Sequence, residues 1–263
     1  MNHIILIVFG LAPSLIWLSY YLRKDTHPEP KSMILKIFIC GAIVTAPVAF
    51  LEMLFQGGFD LVAEISNIYP SPTQISSLFR YGILQVSELS SSSLLFFLLY
   101  SLIAVAFIEE FFKYLVVRCK VLNDSEFDEP IDTMIYMIIA GLGFAALENI
   151  LYLHPHLFPI IKFSETCQIT TIRFLGAVFL HALCSATIGF FLALSICRGK
   201  YKLLYLSTGF IFASILHGLF NYSIIILEGD LKFYITTLIL LSLALFVSWA
   251  FVELKKMKSM CVL

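Results

Sequence analysis

Charge is what this chain has least of: Asp, Glu, Lys and Arg together make up 13% of its 263 residues, about half the share of an ordinary soluble domain. So thin a supply cannot cover the surface of a water-soluble enzyme or keep a disordered regulator solvated. A basic excess is lacking as well. With 17 Lys and Arg against 18 Asp and Glu, nothing is left over to meet phosphate, so nucleic acid is excluded as a partner. Six cysteines (Cys40, Cys119, Cys167, Cys184, Cys197 and Cys261) are scattered with no C-x-x-C and no paired spacing. They read as small apolar residues and not as a disulfide framework. The zinc-protease signature H-E-x-x-H is missing. There is no internal repeat and no internal boundary, which makes residues 1–263 one integral-membrane domain. The terminal C-V-L sets Cys261 one position too late for a prenylation box.

What the chain has in quantity is apolar surface, 60% hydrophobic residues and a mean hydropathy of +0.93. Runs of about 20 apolar residues, the length a helix needs to cross a hydrocarbon core, occur at 4–22, 33–55, 94–117, 131–153, 169–197, 203–226 and 233–252. The expected fold is therefore all-α, a polytopic helical membrane protein with about seven transmembrane helices in a lipid bilayer. The first run lacks a basic start and an A-x-A cleavage site and reads as a mature helix. The connections after runs one, three and five, with the tail, hold Arg23, Lys24, Lys31, Arg118, Lys120, Arg198, Lys200, Lys202, Lys255, Lys256 and Lys258. The opposite side holds Arg80, Lys162 and Lys232. By the positive-inside rule the amino terminus is outside and the carboxyl terminus cytoplasmic. Residues 56–93, interrupted by P-S-P-T and S-S-S-S, read as an external loop with an amphipathic turn near Leu78 to Leu89.

An ionisable group at the centre of a membrane helix costs on the order of 2.5–3.5 kcal/mol, so each one inside a run needs an account. Run three carries A-F-I-E-E-F-F-K, run four G-L-G-F-A-A-L-E-N, run five R-F-L-G-A-V-F-L-H-A-L-C-S and run six I-L-H-G-L-F-N-Y, and D-T-H-P-E-P follows run one. Glu109 and Lys113, Phe144 and Glu148, His181 and Ser185, and His217 and Asn221 are each four apart and share a helix face. Four polar edges turned to lipid would be costly, so they are expected to converge on one enclosed, partly hydrated cavity. Gly141, Gly143, Gly176, Gly189 and Gly218 beside them permit close helix approach. Arg173, near the outer end of its run, reads as a snorkelling side chain or a structural partner.

Carboxylates, imidazoles and an amide in one low-dielectric pocket make an acid–base site. Glu109 and Glu110 are a crowded pair suited to taking a proton from water. Lys113 one turn on keeps a carboxylate ionised and oriented, and His217 with Asn221 can donate to a developing oxyanion. Depth is in tension with this. At about 1.5 Å per residue, Glu109 is about 13 Å from Arg118, while Glu148, His181 and His217 are about 21–25 Å from the inner ends of their runs. A run three that continues towards Leu122 resolves it.

These residues resemble the PrsW family of intramembrane proteases, distant relatives of the CAAX prenyl protease group. The resemblance starts at L-A-P-S-L-I-W and R-K-D-T-H-P-E-P-K and continues through E-E-F-F-K and F-D-E-P-I-D-T-M-I-Y-M-I-I-A-G-L-G-F-A-A-L-E-N-I-L-Y. It ends with R-F-L-G-A-V-F-L-H-A-L and H-G-L-F-N. It implies endoproteolysis of a membrane-anchored protein substrate, of the anti-sigma-factor kind, in a bacterial cytoplasmic membrane. Carried over by position, Glu109 and Glu110 match the water-activating glutamates, Glu148 the acid of the second motif and His181 the histidine of the fifth run. His217 and Asn221 match the oxyanion-binding motif, with Lys113 and Phe144 in support. Glu148 stands where the prenyl protease relatives have a histidine. Glu148, His181 and His217 are also candidate zinc ligands, with an open fourth position. The missing H-E-x-x-H favours chemistry with no metal cofactor and leaves zinc as the alternative.

Two other function classes fit an intramembrane set of carboxylates and histidines. A proton- or ion-coupled transporter would carry inverted halves, and no such symmetry is present. A non-catalytic membrane binding protein would lack some of the glutamates or histidines, and all are here.

Overall fold

The structure is a computed structural model that describes residues 3–24, 27–75, 89–124, 127–153 and 163–257. Among the described residues there is helix and no strand. The helices are α1 (His3–Leu22), α2 (Lys31–Ile43), α3 (Thr45–Ile65), α4 (Ser91–Leu99), α5 (Ile108–Lys120), α6 (Asp132–Leu153), α7 (Phe163–Leu175), α8 (Ala177–Cys197), α9 (Lys202–Ile226) and α10 (Gly229–Met257). They build seven membrane-length segments: Ile4–Leu22, Lys31–Ile65, Ser91–Lys120, Asp132–Leu153, Phe163–Cys197, Gly199–Ile226 and Gly229–Met257. That is the architecture expected from the apolar runs.

Three segments are interrupted, each for a local reason. α2 and α3 meet at Val44 because Pro47 has no N–H for the carbonyl four residues back and its ring crowds that turn. α4 passes into α5 through a π-helical stretch, Tyr100–Phe107, immediately before the two glutamates. Such wider turns inside α-helices concentrate at functional sites. α7 and α8 are separated at Gly176, whose ψ of −92° leaves the helical region.

α6 is the centre. Every residue from Asp132 to Ala146 is buried, as an apolar sequence with no polar stripe requires. It packs on α8, α2 and α1, while α9 and α10 lie on the far side of α8. The α2–α6 contact depends on two glycines. A Cβ on Gly143 would meet the carbonyl oxygen of Phe38, and one on Gly41 the carbonyl of Ala140. Both obstacles are backbone and cannot rotate away. Gly143→Ala is therefore expected to lower stability by about 1–3 kcal/mol, read as a fall in the thermal unfolding midpoint in detergent.

The expected external loop at 56–93 is shorter than predicted. α3 continues through Gln56 to Ile65 and α4 begins at Ser91. Gly57 and Gly58 do not end the helix because ring packing offsets their propensity cost: Phe59 lies 5.2 Å from Phe96 and 5.5 Å from Tyr100, centroid to centroid. The amphipathic turn expected near Leu78 to Leu89 falls almost wholly outside the described residues, as does Cys261. Cys40, Cys119, Cys167 and Cys184 carry free thiols. Cys197 departs from the reading of unpaired cysteines by being disulfide-bonded.

The motif after α1 is a clamp, not part of the polar cluster. His27 Nδ1 pairs with Glu129 Oε1 at 2.9 Å, and the Tyr136 hydroxyl donates to Glu29. Asp132 accepts the N–H groups of Asp128 and Glu129 at 3.1 and 2.8 Å, closing the start of α6. Tyr136 and Glu148 are about 18 Å apart along that helix.

Candidate active site

Lys113 is the hub. Its side chain is 0% exposed, and a buried ammonium persists only where it is fully compensated. Nζ donates to Glu110 Oε1 at 2.8 Å, to His181 Nδ1 at 2.8 Å and to Glu109 Oε2 at 3.2 Å. The spacing on α5 brings this about, since residues three and four apart stand one above the other on a helix. The Phe144 ring closes the hub, with Nζ 4.4 Å from its centroid.

The histidines come from two other helices. His217 of α9 donates from Nδ1 to Glu110 Oε1 at 3.0 Å, and its Nε2 is 3.8 Å from Glu109 Oε2. His181 of α8 uses both ring nitrogens. An ammonium can only donate, so Nδ1 accepts from Lys113 and Nε2 carries the proton, which goes to Glu148 Oε2 at 2.9 Å. The two imidazoles pack edge to face with centroids 5.1 Å apart. Ser185, one turn after His181, donates to Glu110 Oε2 at 3.4 Å.

Glu109, Glu110, Lys113, Phe144, Glu148, His181 and His217 thus meet in one cluster, in direct contact. The depth conflict does not arise between the side chains themselves, since Glu109 Oε2 lies 3.6 Å from His181 Nδ1 and 3.8 Å from His217 Nε2. Asn221 is half-buried, one turn beyond His217, and hydrogen-bonds none of the cluster groups. The metal candidates regroup. Ligand atoms of Glu109, Glu110, His181 and His217 all lie within 4.8 Å of one another, a buried set that could hold a metal ion. Glu148 is not among them, its Oε2 being taken by His181 and by Arg173 Nη2 at 2.9 Å.

One residue of the site went unnoticed in the sequence. Glu52 on α3 shares a side-chain hydrogen bond with Glu109, and its Oε1 is buried without a partner. The available signal was the lone acid of A-F-L-E-M-L-F within an apolar run, which by itself marks a functional position. A hydrogen bond to a charged group is worth about 1.5–3 kcal/mol. Glu52→Leu is therefore expected to slow turnover about ten- to a hundred-fold with the protein still folded, measured as initial rate beside the unfolding midpoint.

The buried carboxylates and imidazoles lie within a chain of seven membrane-length segments. The model of the PrsW family, described as intramembrane metalloproteases, matches residues 29–251. The chain belongs to the PrsW protease family. Proteins named Protease PrsW from Oceanobacillus iheyensis and Geobacillus kaustophilus are each 30% identical over 224 residues, 85% of this chain and 83% and 81% of theirs. Protease PrsW of Bacillus subtilis is 27% identical over 234 residues, 88% of each chain. No solved structure shows significant similarity. As a PrsW protein the chain is an intramembrane protease and a multi-pass bacterial membrane protein. The matched residues include all of Glu52, Glu109, Glu110, Glu148, His181 and His217.

Proposed function

We propose that this PrsW protein hydrolyses a peptide bond of a membrane-anchored regulator, of the anti-sigma-factor kind, using glutamate-activated water and no metal. In this reading its carboxyl terminus is cytoplasmic, as the charge distribution of the connections suggests. The observation that carries it is the position of the Lys113 ammonium. Two carboxylates and two imidazoles are suitable zinc donors, and the family description speaks of metalloproteases. Yet Glu109 Oε2, Glu110 Oε1 and His181 Nδ1 already direct lone pairs at Nζ, 2.8–3.2 Å away. A divalent cation would have to share those lone pairs with a fixed positive charge, which favours the metal-free reading.

Glu109 is the better base of the pair. Both oxygens of Glu110 are engaged, by Lys113 and His217 on one side and Ser185 on the other, whereas Glu109 receives one bond from Lys113 and has the Glu52 carboxyl as its other neighbour. Glu109 takes a proton from water, and the oxygen adds to the scissile carbonyl carbon. The oxyanion is met by donors from the His217 and Asn221 edge. Collapse breaks the C–N bond as the proton passes from Glu109 to the departing nitrogen. His217 already donates through Nδ1 to Glu110, so a donor role for its Nε2 requires the doubly protonated ring.

The test compares membranes of cells expressing the wild type and Glu109→Gln by mass spectrometry of new protein termini. Termini inside or beside single transmembrane segments are expected with the wild type alone, and identical sets from both would overturn the proposal. Prolonged treatment of the purified protein with a zinc chelator is expected to leave cleavage unchanged. Loss of activity that added zinc restores would replace the glutamate mechanism with the metalloprotease one.

A further inference from the structure

Arg173 does not snorkel. Its side chain is only 13% exposed, and Nη2 meets Glu148 Oε2 at 2.9 Å. Nε donates to Asn149 Oδ1 at 2.5 Å, and the guanidinium lies 4.4 Å from the centroid of the Tyr152 ring. Asn149 is itself tied to α1, donating from Nδ2 to the carbonyl of Gly10 at 3.4 Å. The guanidinium is therefore held by three residues of α6 although it belongs to α7, on the other side of the break at Gly176. A guanidinium held by a hydrogen bond at Nε, an ion pair at Nη2 and a ring against its face has little freedom left.

The oxygen it meets is the one that matters to His181. Glu148 Oε2 accepts His181 Nε2–H at 2.9 Å and forms an ion pair with Arg173 Nη2 at the same distance. A carboxylate on a side chain with several rotatable bonds does not by itself hold one orientation inside a membrane protein. Glu148 is 29% exposed on its side chain, so its neighbours leave it room to turn. Arg173 removes that freedom, and a fixed acceptor at Nε2 determines which nitrogen of the ring carries the proton. The opposite nitrogen, Nδ1, is then bound to present a lone pair to Lys113 at 2.8 Å. A chain of contacts so runs from α1 through Asn149, Arg173, Glu148 and His181 to the ammonium between Glu109 and Glu110.

We propose that Arg173 is a positioning residue of the protease site, acting through Glu148 to fix the tautomer of His181 and so the seat of Lys113. The proposal rests on the hydrolytic reading given above, and its test is chosen to stand apart from that reading. It uses the full-length protein in lipid bilayers, with histidine labelled at both ring nitrogens and His181 assigned by the signal lost in His181→Gln. Solid-state nitrogen spectra of the wild type are expected to show His181 as a single form protonated at Nε2. Arg173→Gln is expected to give a mixture of tautomers, and Arg173→Lys, which keeps the charge but loses the fork, an intermediate spectrum. An unchanged His181 signal in folded Arg173→Gln would overturn the proposal.

Cleavage supplies the second arm. Arg173→Gln is expected to lower kcat at least ten-fold with KM little changed, and to cost nothing further in a Glu148→Gln background, because the two act as one unit. Multiplying losses would overturn it, since Arg173 would then act independently of Glu148. Free guanidinium is expected to restore part of the activity of Arg173→Ala; a purely structural arginine would show no such rescue. Failure of the hydrolytic reading is seen elsewhere, as full activity in Glu109→Gln, and leaves the spectroscopic arm to be judged alone.

Discussion

Glu109→Gln is expected to reduce cleavage by about 10²–10⁴-fold, the usual worth of a positioned general base, with little loss of fold. An amide can still accept from Lys113 through its oxygen, so the hydrogen bond at 3.2 Å survives while the proton acceptor is gone. Glu110→Gln should behave differently. Glu110 is 0% exposed and receives Lys113, His217 and Ser185 at 2.8, 3.0 and 3.4 Å. Removing its charge weakens every one of those contacts. Its expected signature is loss of activity together with a lower unfolding midpoint, whereas Glu109→Gln should lose activity alone. Rates on a membrane-inserted substrate, measured beside thermal unfolding of the same preparations, separate the two. Full activity in both variants would remove the carboxylates from the chemistry.

The largest expected effect on stability belongs to Lys113. Breaking a buried ion pair by removing one partner costs about 3–5 kcal/mol, because the other charge is left uncompensated. Here the ammonium serves two carboxylates, Glu110 at 2.8 Å and Glu109 at 3.2 Å. Lys113→Met keeps the volume and removes the charge. It is expected to abolish activity and to lower folded yield severely, read by size-exclusion profile and thermal unfolding. The double variant Lys113→Met with Glu110→Gln should recover part of that stability, since it removes a carboxylate along with its counter-charge. If the single variant proves as stable as wild type, Lys113 is not the electrostatic hub and the argument against a resident metal loses its basis.

How much of this was legible in the sequence differs between helix and site. Local spacing on α5 predicted that Glu109 and Lys113 would touch, and they do, because a neighbour relation four residues apart needs only the helix itself. The same holds for Ser185, which follows His181 by one turn and faces the same cluster. The place of Glu148 was less legible. It read as a catalytic acid and as a candidate zinc ligand, and its contacts at 2.9 Å with His181 and Arg173 come from helices whose approach the sequence does not show. For Arg173 the sequence left a snorkelling side chain and a structural partner open, and only the contacts with Glu148 and Asn149 of α6 decide for the partner. Glu52 had no partner in its own helix to draw attention to it, and its neighbour Glu109 is 57 positions away.

Composition and periodicity by themselves determined that the chain crosses a membrane as a bundle of apolar helices, and that its few intramembrane charges had to face one another. Both follow from the cost of exposing polar groups to hydrocarbon, a cost that depends on residue type and helix length alone. Which charges meet was decided by the tertiary structure. Two glycines let α2 and α6 approach to backbone contact, and the interruptions at Val44 and Gly176 redirect α3 and α8. Interhelical distances are set by such steric details across the bundle, and a pattern read along one helix does not contain them.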